Sequence, residues 1–338
     1  MTYTSGQLIQ ATDYNGFVGP TASGGTANAN LNDIWGAGTT DKGWGQTALT
    51  NVTANSSIVT ATQWSGLVNT LAAAGNQTNT VLTSRTAPVA TNTISVLANV
   101  NADLTSVTTN RGNAAASGTT SSTWTGAIAK LTATGSGATA WTITFTQTVT
   151  FPSANQARYF WNAGGLVTLD MSFTANAVDN DPDWTRLVGY MGKLTMAGRV
   201  NGAAQTVAAT SYTGFNRGGT GGTQTTLAST TGWYSLTAGA AATTMIQIND
   251  ATYLYTSNFI RTTAAVDATR TVLTLVTTWN APAKTGWGQV NNISGGTTTA
   301  SPFTAFGTGP AVLCRVVPPS TTYLTNTWGT PVVASSVV

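Results

Sequence analysis

Trp141-Thr142-Ile143-Thr144-Phe145-Thr146-Gln147-Thr148-Val149-Thr150-Phe151-Pro152 is the stretch that decides the fold class. Trp141, Ile143, Phe145, Val149 and Phe151 are apolar, threonine fills the alternate positions, and only Gln147 interrupts the apolar set. Strict alternation predicts a strand with one buried face and one wet face. Pro152 has no amide donor and ends the ladder. Ser153 with Gln156 three residues later predicts a capping box, opening a short helix through Ala157, Tyr159 and Phe160. Gly164 and Gly165 predict its stop, because glycine takes the left-handed cap cheaply. Val167, Leu169, Met171 and Phe173 then alternate with Thr168, Asp170 and Ser172, which predicts a second strand. The unit is a strand, a one-helix crossing and a strand.

Composition narrows the class. Only 7% of the 338 residues are charged, against roughly 25% in ordinary soluble proteins. Glu and His are absent and threonine is the most frequent residue. No apolar run approaches the ~20 residues that span a bilayer, so no membrane partner is expected. The 41% hydrophobic content and 11 Trp argue against disorder. A net charge of +3, from 13 Lys and Arg against 10 Asp, is too thinly spread to be a footprint for nucleic acid. Cys314 is the lone cysteine and reads as a small buried hydrophobe. The start Met1-Thr2-Tyr3-Thr4-Ser5-Gly6 has neither a basic nor an apolar region, so no secretion signal is expected.

Outward from the central unit, Leu8–Val18 and Ile58–Val68 repeat each other at a spacing of fifty. Each copy has a capping threonine, an aromatic and apolar residues at helical spacing: Tyr14, Phe17 and Val18 in one, Trp64, Leu67, Val68 and Leu71 in the other. Two short amphipathic helices follow from that. Residues 92–111 predict a longer helix, with Leu97, Val100, Leu104 and Val107 at a and d positions and Gly112 as the stop. That stripe packs either on neighbouring helices of the same chain or on further copies as a self-association seam. The small polar run 114–123 predicts a linker, and strand patterns dominate beyond it, as in Thr271–Trp279. Pro318, Pro319 and Pro331 predict an extended, edge-following tail. The expected class is α+β, mainly β. A small N-terminal helical attachment and oligomerisation region (1–113) precedes the linker (114–123) and a Thr-rich antiparallel β-sandwich with an extended tail (124–338).

Phe151-Pro152-Ser153-Ala154-Asn155-Gln156-Ala157-Arg158-Tyr159-Phe160-Trp161-Asn162-Ala163-Gly164-Gly165 resembles the "ARYFFNAGG" signature of virion structural proteins of tailed bacteriophages, notably T4-like and cyanophage myophages. Trp161 stands where that family usually has Phe. The resemblance extends to Asp183–Leu187, Gly232–Thr237 and Tyr255–Phe259, and in the N-terminal region to Leu31–Gly36 and Asp41–Gln46. It implies a structural role at the tail fibre, baseplate or neck, with host attachment as the distal task. Its expected partners are further copies of the chain (a homotrimer) and other virion proteins; the alternative, resting on the 11 Trp and 9 Tyr, is an adhesin that binds a host-surface glycan. The implied location is the virion, assembled in the host cytoplasm. The resemblance carries no catalytic residues.

The residues themselves leave little room for catalysis. Without His there is no imidazole base for a Ser-His-Asp or Cys-His arrangement, and with one Cys no closed zinc site. Paired Asp could in principle hydrolyse glycosides, but the ten Asp cluster only at Asp179-Asn180-Asp181-Pro182-Asp183. Asp179, Asp181 and Asp183 match the start of a calcium loop. Trp184 then replaces the turn glycine and Tyr190 the bidentate Glu. The alternative is an acidic turn in which Asp183 caps a helix over 184–188. Calcium is the one cofactor this leaves open. Trp233, Trp287, Tyr323 and Trp328 fall outside helical or alternating patterns and are the candidate platforms for stacking a sugar ring. Gly43-Trp44-Gly45-Gln46 and Gly286-Trp287-Gly288-Gln289 echo each other and predict a Trp tucked into a glycine-flanked turn.

Overall fold

A computed structural model gives the architecture; it describes residues 11–19, 30–53, 58–83, 97–115, 122–123, 128–129, 135–136, 141–174, 181–251, 256–282, 302–303 and 308–338. Four helices come first: α1 (Ala11–Val18), α2 (Leu31–Trp35), α3 (Ala61–Gln77) and α4 (Leu97–Thr109). The fifty-residue repeat is realised, since α1 and α3 begin at equivalent positions. Thr60 caps α3 in a full capping box with Gln63, and α3 runs a further nine residues past the repeat because Leu71 and Ala74 extend its buried stripe. Phe17 and Trp64 meet edge to face at 6.1 Å, so the two copies pack on each other.

The strand, helix and strand of the central unit follow as β1 (Trp141–Thr150), α5 (Ala154–Asn162) and β2 (Leu166–Thr174). α6 (Asp181–Met191) leads into β3 (Leu194–Ala197), β4 (Phe215–Arg217), β5 (Thr223–Leu227), β6 (Thr243–Asn249), β7 (Phe259–Val266), β8 (Val272–Ala281), β9 (Thr308–Val317) and β10 (Val332–Val337). One antiparallel sheet has the order β5-β6-β7-β8-β1-β10. In the other, β9, β2, β3 and β4 are neighbours and the two-residue strands at 122–123 and 128–129 add to β9. The fold is therefore mainly β with an N-terminal helical region, and α5 carries the chain from one sheet to the other.

Alternation explains the core between the sheets. Ile143, Phe145 and Val149 of β1 and Leu273, Leu275 and Trp279 of β8 are buried, while the threonines between the β1 residues face outward. From the opposite sheet come Val167, Leu169, Val312, Cys314 and Val316. Gln147, the one polar residue on the inner face of β1, donates its Nε2 to the Val312 carbonyl at 3.3 Å and so ties one sheet to the other. Burial pushes the Cys314 thiol up to about 12, which leaves it protonated and unreactive at neutral pH. On α6, Trp184 stacks on Trp279 at 5.6 Å and 21°.

The helices do not form a separate core. Tyr14, Leu31, Trp44, Leu67, Leu71 and Leu104 belong to the same buried cluster as Phe160, Trp161 and Trp279. Val100, Leu104 and Val107 are fully buried within the chain. Val100, Leu104 and Val107 are thus spent on the chain's own helices and offer no seam for a second copy. Helix α6 starts at Asp181, so Asp183 lies inside the first turn rather than capping the helix, which begins three residues earlier than the 184–188 expectation.

Candidate functional site

The segment 151–165 follows β1 and spans α5 and the turn into β2, and its Phe151, Ala157, Phe160, Trp161 and Asn162 are buried in the protein. Ser153 caps α5: its Oγ accepts the Gln156 amide at 3.2 Å and donates to Gln156 Oε1 at 3.0 Å. The reciprocal half of the expected capping box is not made, because the Gln156 side chain bonds the Ser153 hydroxyl instead of the Ser153 backbone. At the other end Gly165 donates to the Phe160 carbonyl at 2.8 Å, and Gly164 takes a positive φ of 101°. A Cβ on Gly164 would lie 2.3 Å from the Ala114 Cβ, so glycine is required there by space as well as by backbone.

The last carbonyls of a helix have no partner within it. Here three of them accept from three remote segments. The Trp161 carbonyl accepts Gln205 Nε2 at 2.7 Å, the Asn162 carbonyl accepts Trp44 Nε1 at 3.1 Å, and the Ala163 carbonyl accepts Gln77 Nε2 at 3.1 Å. The donors come from the 205–212 hairpin, the 36–46 loop and the end of α3. Asn162 adds two side-chain bonds: its Nδ2 donates to the Gly43 carbonyl at 3.0 Å, and its Oδ1 accepts the Tyr234 hydroxyl at 2.5 Å. Burial pushes the Tyr234 phenol far above its usual range, so it remains a neutral donor. Arg158 donates Nη1 to the Lys42 carbonyl at 2.6 Å.

Aromatic packing follows the same routes. Phe151, Phe160 and Trp161 form one cluster with centroids 5.0 to 6.1 Å apart, and Trp161 stacks on Trp233 at 6.0 Å and 22°. Arg270 lies over the Trp233 ring at 5.0 Å and donates to the Leu236 carbonyl at 2.8 Å. Gly45 has φ 71°, and a Cβ there would lie 2.4 Å from the Tyr159 ring. The C-terminal segment docks here too, with Gln46 donating to the Thr325 carbonyl at 3.0 Å and accepting the Thr325 amide at 2.9 Å. Segments around residues 31–46, 151–165 and 232–237, separate in sequence, converge on one hub.

Tyr14, Trp64, Leu67, Val100, Leu104 and Val107 are buried in the chain, Phe17 is half-buried against them, and Leu97 opens α4. All but Leu97, whose side chain lies outside the described ones, therefore organise the helical region from within. Trp233 and Trp328, read as sugar platforms, are 2% and 1% exposed and present no face to a ligand. Trp233 is held between Trp161 and Arg270, and Trp328 belongs to the main core. Trp287 lies outside the described residues, and among the described candidates Tyr323, 39% exposed, keeps the reading. Trp44 sits as its glycine-flanked motif predicts, buried between Gly43 and Gly45 at positive φ. Asp179 lies outside the described residues. Asp181 and Asp183 stand in the first turn of α6, and a helix there removes the open loop that a calcium site of this spacing needs.

Sequence reading missed the amide side chains that make the hub: Gln46, Gln77, Asn162 and Gln205. Gln77 carried a readable signal, since it extends the Trp64, Leu67, Leu71, Ala74 stripe with a polar residue that is wholly buried. An open cleft of about 490 Å³ runs between α3 and residues 79–83, bounded by Val68, Leu71, Leu82 and Tyr323, with no charged side chain on its wall. Among the described residues there is no cluster of three or more metal-ligating side chains and no helix long and apolar enough to cross a membrane. Compared with protein-family models, curated proteins and solved structures, the chain shows no match.

Proposed function

We propose that the chain is a structural component of a tailed-phage particle, at the tail fibre, baseplate or neck, acting through protein–protein assembly with copies of itself and other virion proteins and without catalysis. The observation that carries this reading is the convergence at α5. The signature segment and two of the other stretches that share the phage resemblance, 31–46 and 232–237, touch one another through Asn162, Trp161, Trp44 and Tyr234. Residues recurring together in such proteins are here the ones that lock one fold.

The carboxylates support the same reading, because their partners are architectural. Asp33, Asp41, Asp170 and Asp250 pair with Lys42, Arg111, Arg315 and Arg186. Asp103 accepts the Thr83 amide, and Asp267 accepts the amides of Thr271 and Val272. The exposed side of β1 and β8 is lined by threonine and valine, a neutral hydrogen-bonding surface suited to burial between subunits.

Immunogold electron microscopy of purified particles, with antibody against residues 118–338, tests the proposal. Label at one fixed place on the particle is expected and would choose among fibre, baseplate and neck. Protein found free in the lysate, with no label on intact or disrupted particles, overturns it.

A further inference from the structure

We propose that the β10 edge is a self-association site, in which Val332–Val338 of one copy pairs antiparallel with the same segment of a second copy about a twofold axis centred on Ser335. The proposal is independent of the phage reading. Among the described residues β10 pairs with β1 alone, which leaves its other side at the edge of the sheet. Thr144 and Val338 exchange both backbone bonds, at 2.8 and 3.0 Å. Hydrogen-bonded pairs alternate in an antiparallel ladder, so residues 332, 334, 336 and 338 bond to β1. The amides and carbonyls of Val333, Ser335 and Val337 are turned to the free edge. Among the described residues no other backbone group bonds them there.

Edges are ordinarily guarded by charge, proline or a bulge. The opposite edge strand, β5, has such a bulge between Gln224 and Thr226. β10 has none of the three: its register with β1 is unbroken and Val-Val-Ala-Ser-Ser-Val-Val contains neither charge nor proline. That sequence is close to a palindrome. Centred on Ser335, antiparallel self-pairing sets Val333 against Val337 and Ser335 against itself, which satisfies every outward amide and carbonyl of both copies. Val332 then faces Val338 across the junction as a closely spaced non-hydrogen-bonded pair. These two side chains are 55% and 75% exposed in the single chain. Any shift of register leaves edge groups unpaired or separates the valines. A second copy is thus the occupant that this edge fits, and a short edge contact belongs to the small, reversible class of interfaces.

Sedimentation of the full chain over a concentration series tests the proposal, with Ser335→Pro as the variant. The Ser335 amide makes no bond to β1, so proline there removes the intermolecular donor without breaking a bond of the β1 ladder. A reversible monomer–dimer equilibrium is expected for the native chain and a monomer with unchanged circular dichroism for the variant. Val332→Lys with Val338→Lys, which sets like charges opposite each other, is expected to do the same should the proline variant misfold. Register is read by mixing Ala334→Cys and Ser336→Cys chains under mild oxidation: a cross-link is expected in the mixture and in neither variant alone. Native Cys314 is buried and does not interfere. A native chain that is monomeric throughout, a dimer that survives both edge variants, or cross-linking of either cysteine variant alone overturns the proposal.

Discussion

The α5 hub and the β10 edge are opposite solutions to the same problem of satisfying backbone polar groups. At the C-terminal end of α5, orphan carbonyls are taken by Gln205, Trp44 and Gln77, and close glycine contacts leave no space unused. At β10, three residues turn their amides and carbonyls to a free edge beside two exposed valines. The segment with a recognisable signature is the one turned inward, and the segment open to a partner has only a short uncharged run. The difference teaches that the stretch with the most distinctive sequence can be an internal joint of the fold, while the backbone groups left open lie elsewhere.

That contrast can be broken most forcefully at Trp161. Trp161→Ala removes the ring that stacks on Trp233 and packs on Phe151 and Phe160, and is expected to cost about 3–5 kcal/mol in urea unfolding. A smaller loss, about 1–3 kcal/mol, is expected for Gly164→Ala, whose new methyl would overlap Ala114 at a backbone angle that favours glycine. Acid gives a milder test at the 267–272 turn, which borders the hub through Arg270 over Trp233 and through the Phe151 amide, donated to the Thr271 carbonyl at 2.8 Å. Burial pushes the Asp267 carboxyl up, but bonds from the Thr269 hydroxyl, the Val272 and Thr271 amides and the Thr271 hydroxyl outweigh it and hold the group at about 2. A carboxyl lowered in the folded state contributes stability above its ordinary value near 3.8 and loses it as pH falls toward 2. Asp267→Asn should flatten the fall in melting temperature across that window, and modestly, because the turn is partly solvent-exposed. Least of all should the edge respond: Val332→Lys with Val338→Lys, at two exposed side chains, is expected to change unfolding free energy by no more than about 0.5 kcal/mol while abolishing association. A large stability loss there would mean that β10 also supports the fold, and would narrow the contrast.

Much of this was legible in the residues. Alternation in Trp141–Phe151 and Val167–Phe173 gave the strands, Ser153 and the paired glycines gave the limits of α5, and the fifty-residue repeat gave α1 and α3. Sheet order was not legible, since β1 pairs with β8 and β10 from distant parts of the chain and alternation says only that a face is buried, not against what. The hub was half legible. Its aromatic residues stand out, but the amides that join it do not, because a Gln or Asn looks the same whether it meets water or a helix end. Trp233 and Trp328 were misread as surface platforms for a related reason: Trp233 opens a single 3-10 turn and Trp328 sits in irregular chain, and over so short a stretch periodicity is silent about burial. Asp183 was placed as a cap because an acid directly before 184–188 has the capping pattern, whereas the helix already begins at Asp181 and carries Pro182 in its first turn, where the missing amide is not needed.

The most direct test of the account follows hydrogen exchange by mass spectrometry across a urea series, in the native chain and in Asn162→Ala. Asn162 joins the 36–46 loop and Tyr234 to α5, so the account predicts that α3 and β1 lose protection in one step and that the substitution moves both to lower urea together. Opening of α3 while β1 stays protected, or an unchanged midpoint in Asn162→Ala, would contradict the claim that the signature is the joint holding helices and sheets in one fold.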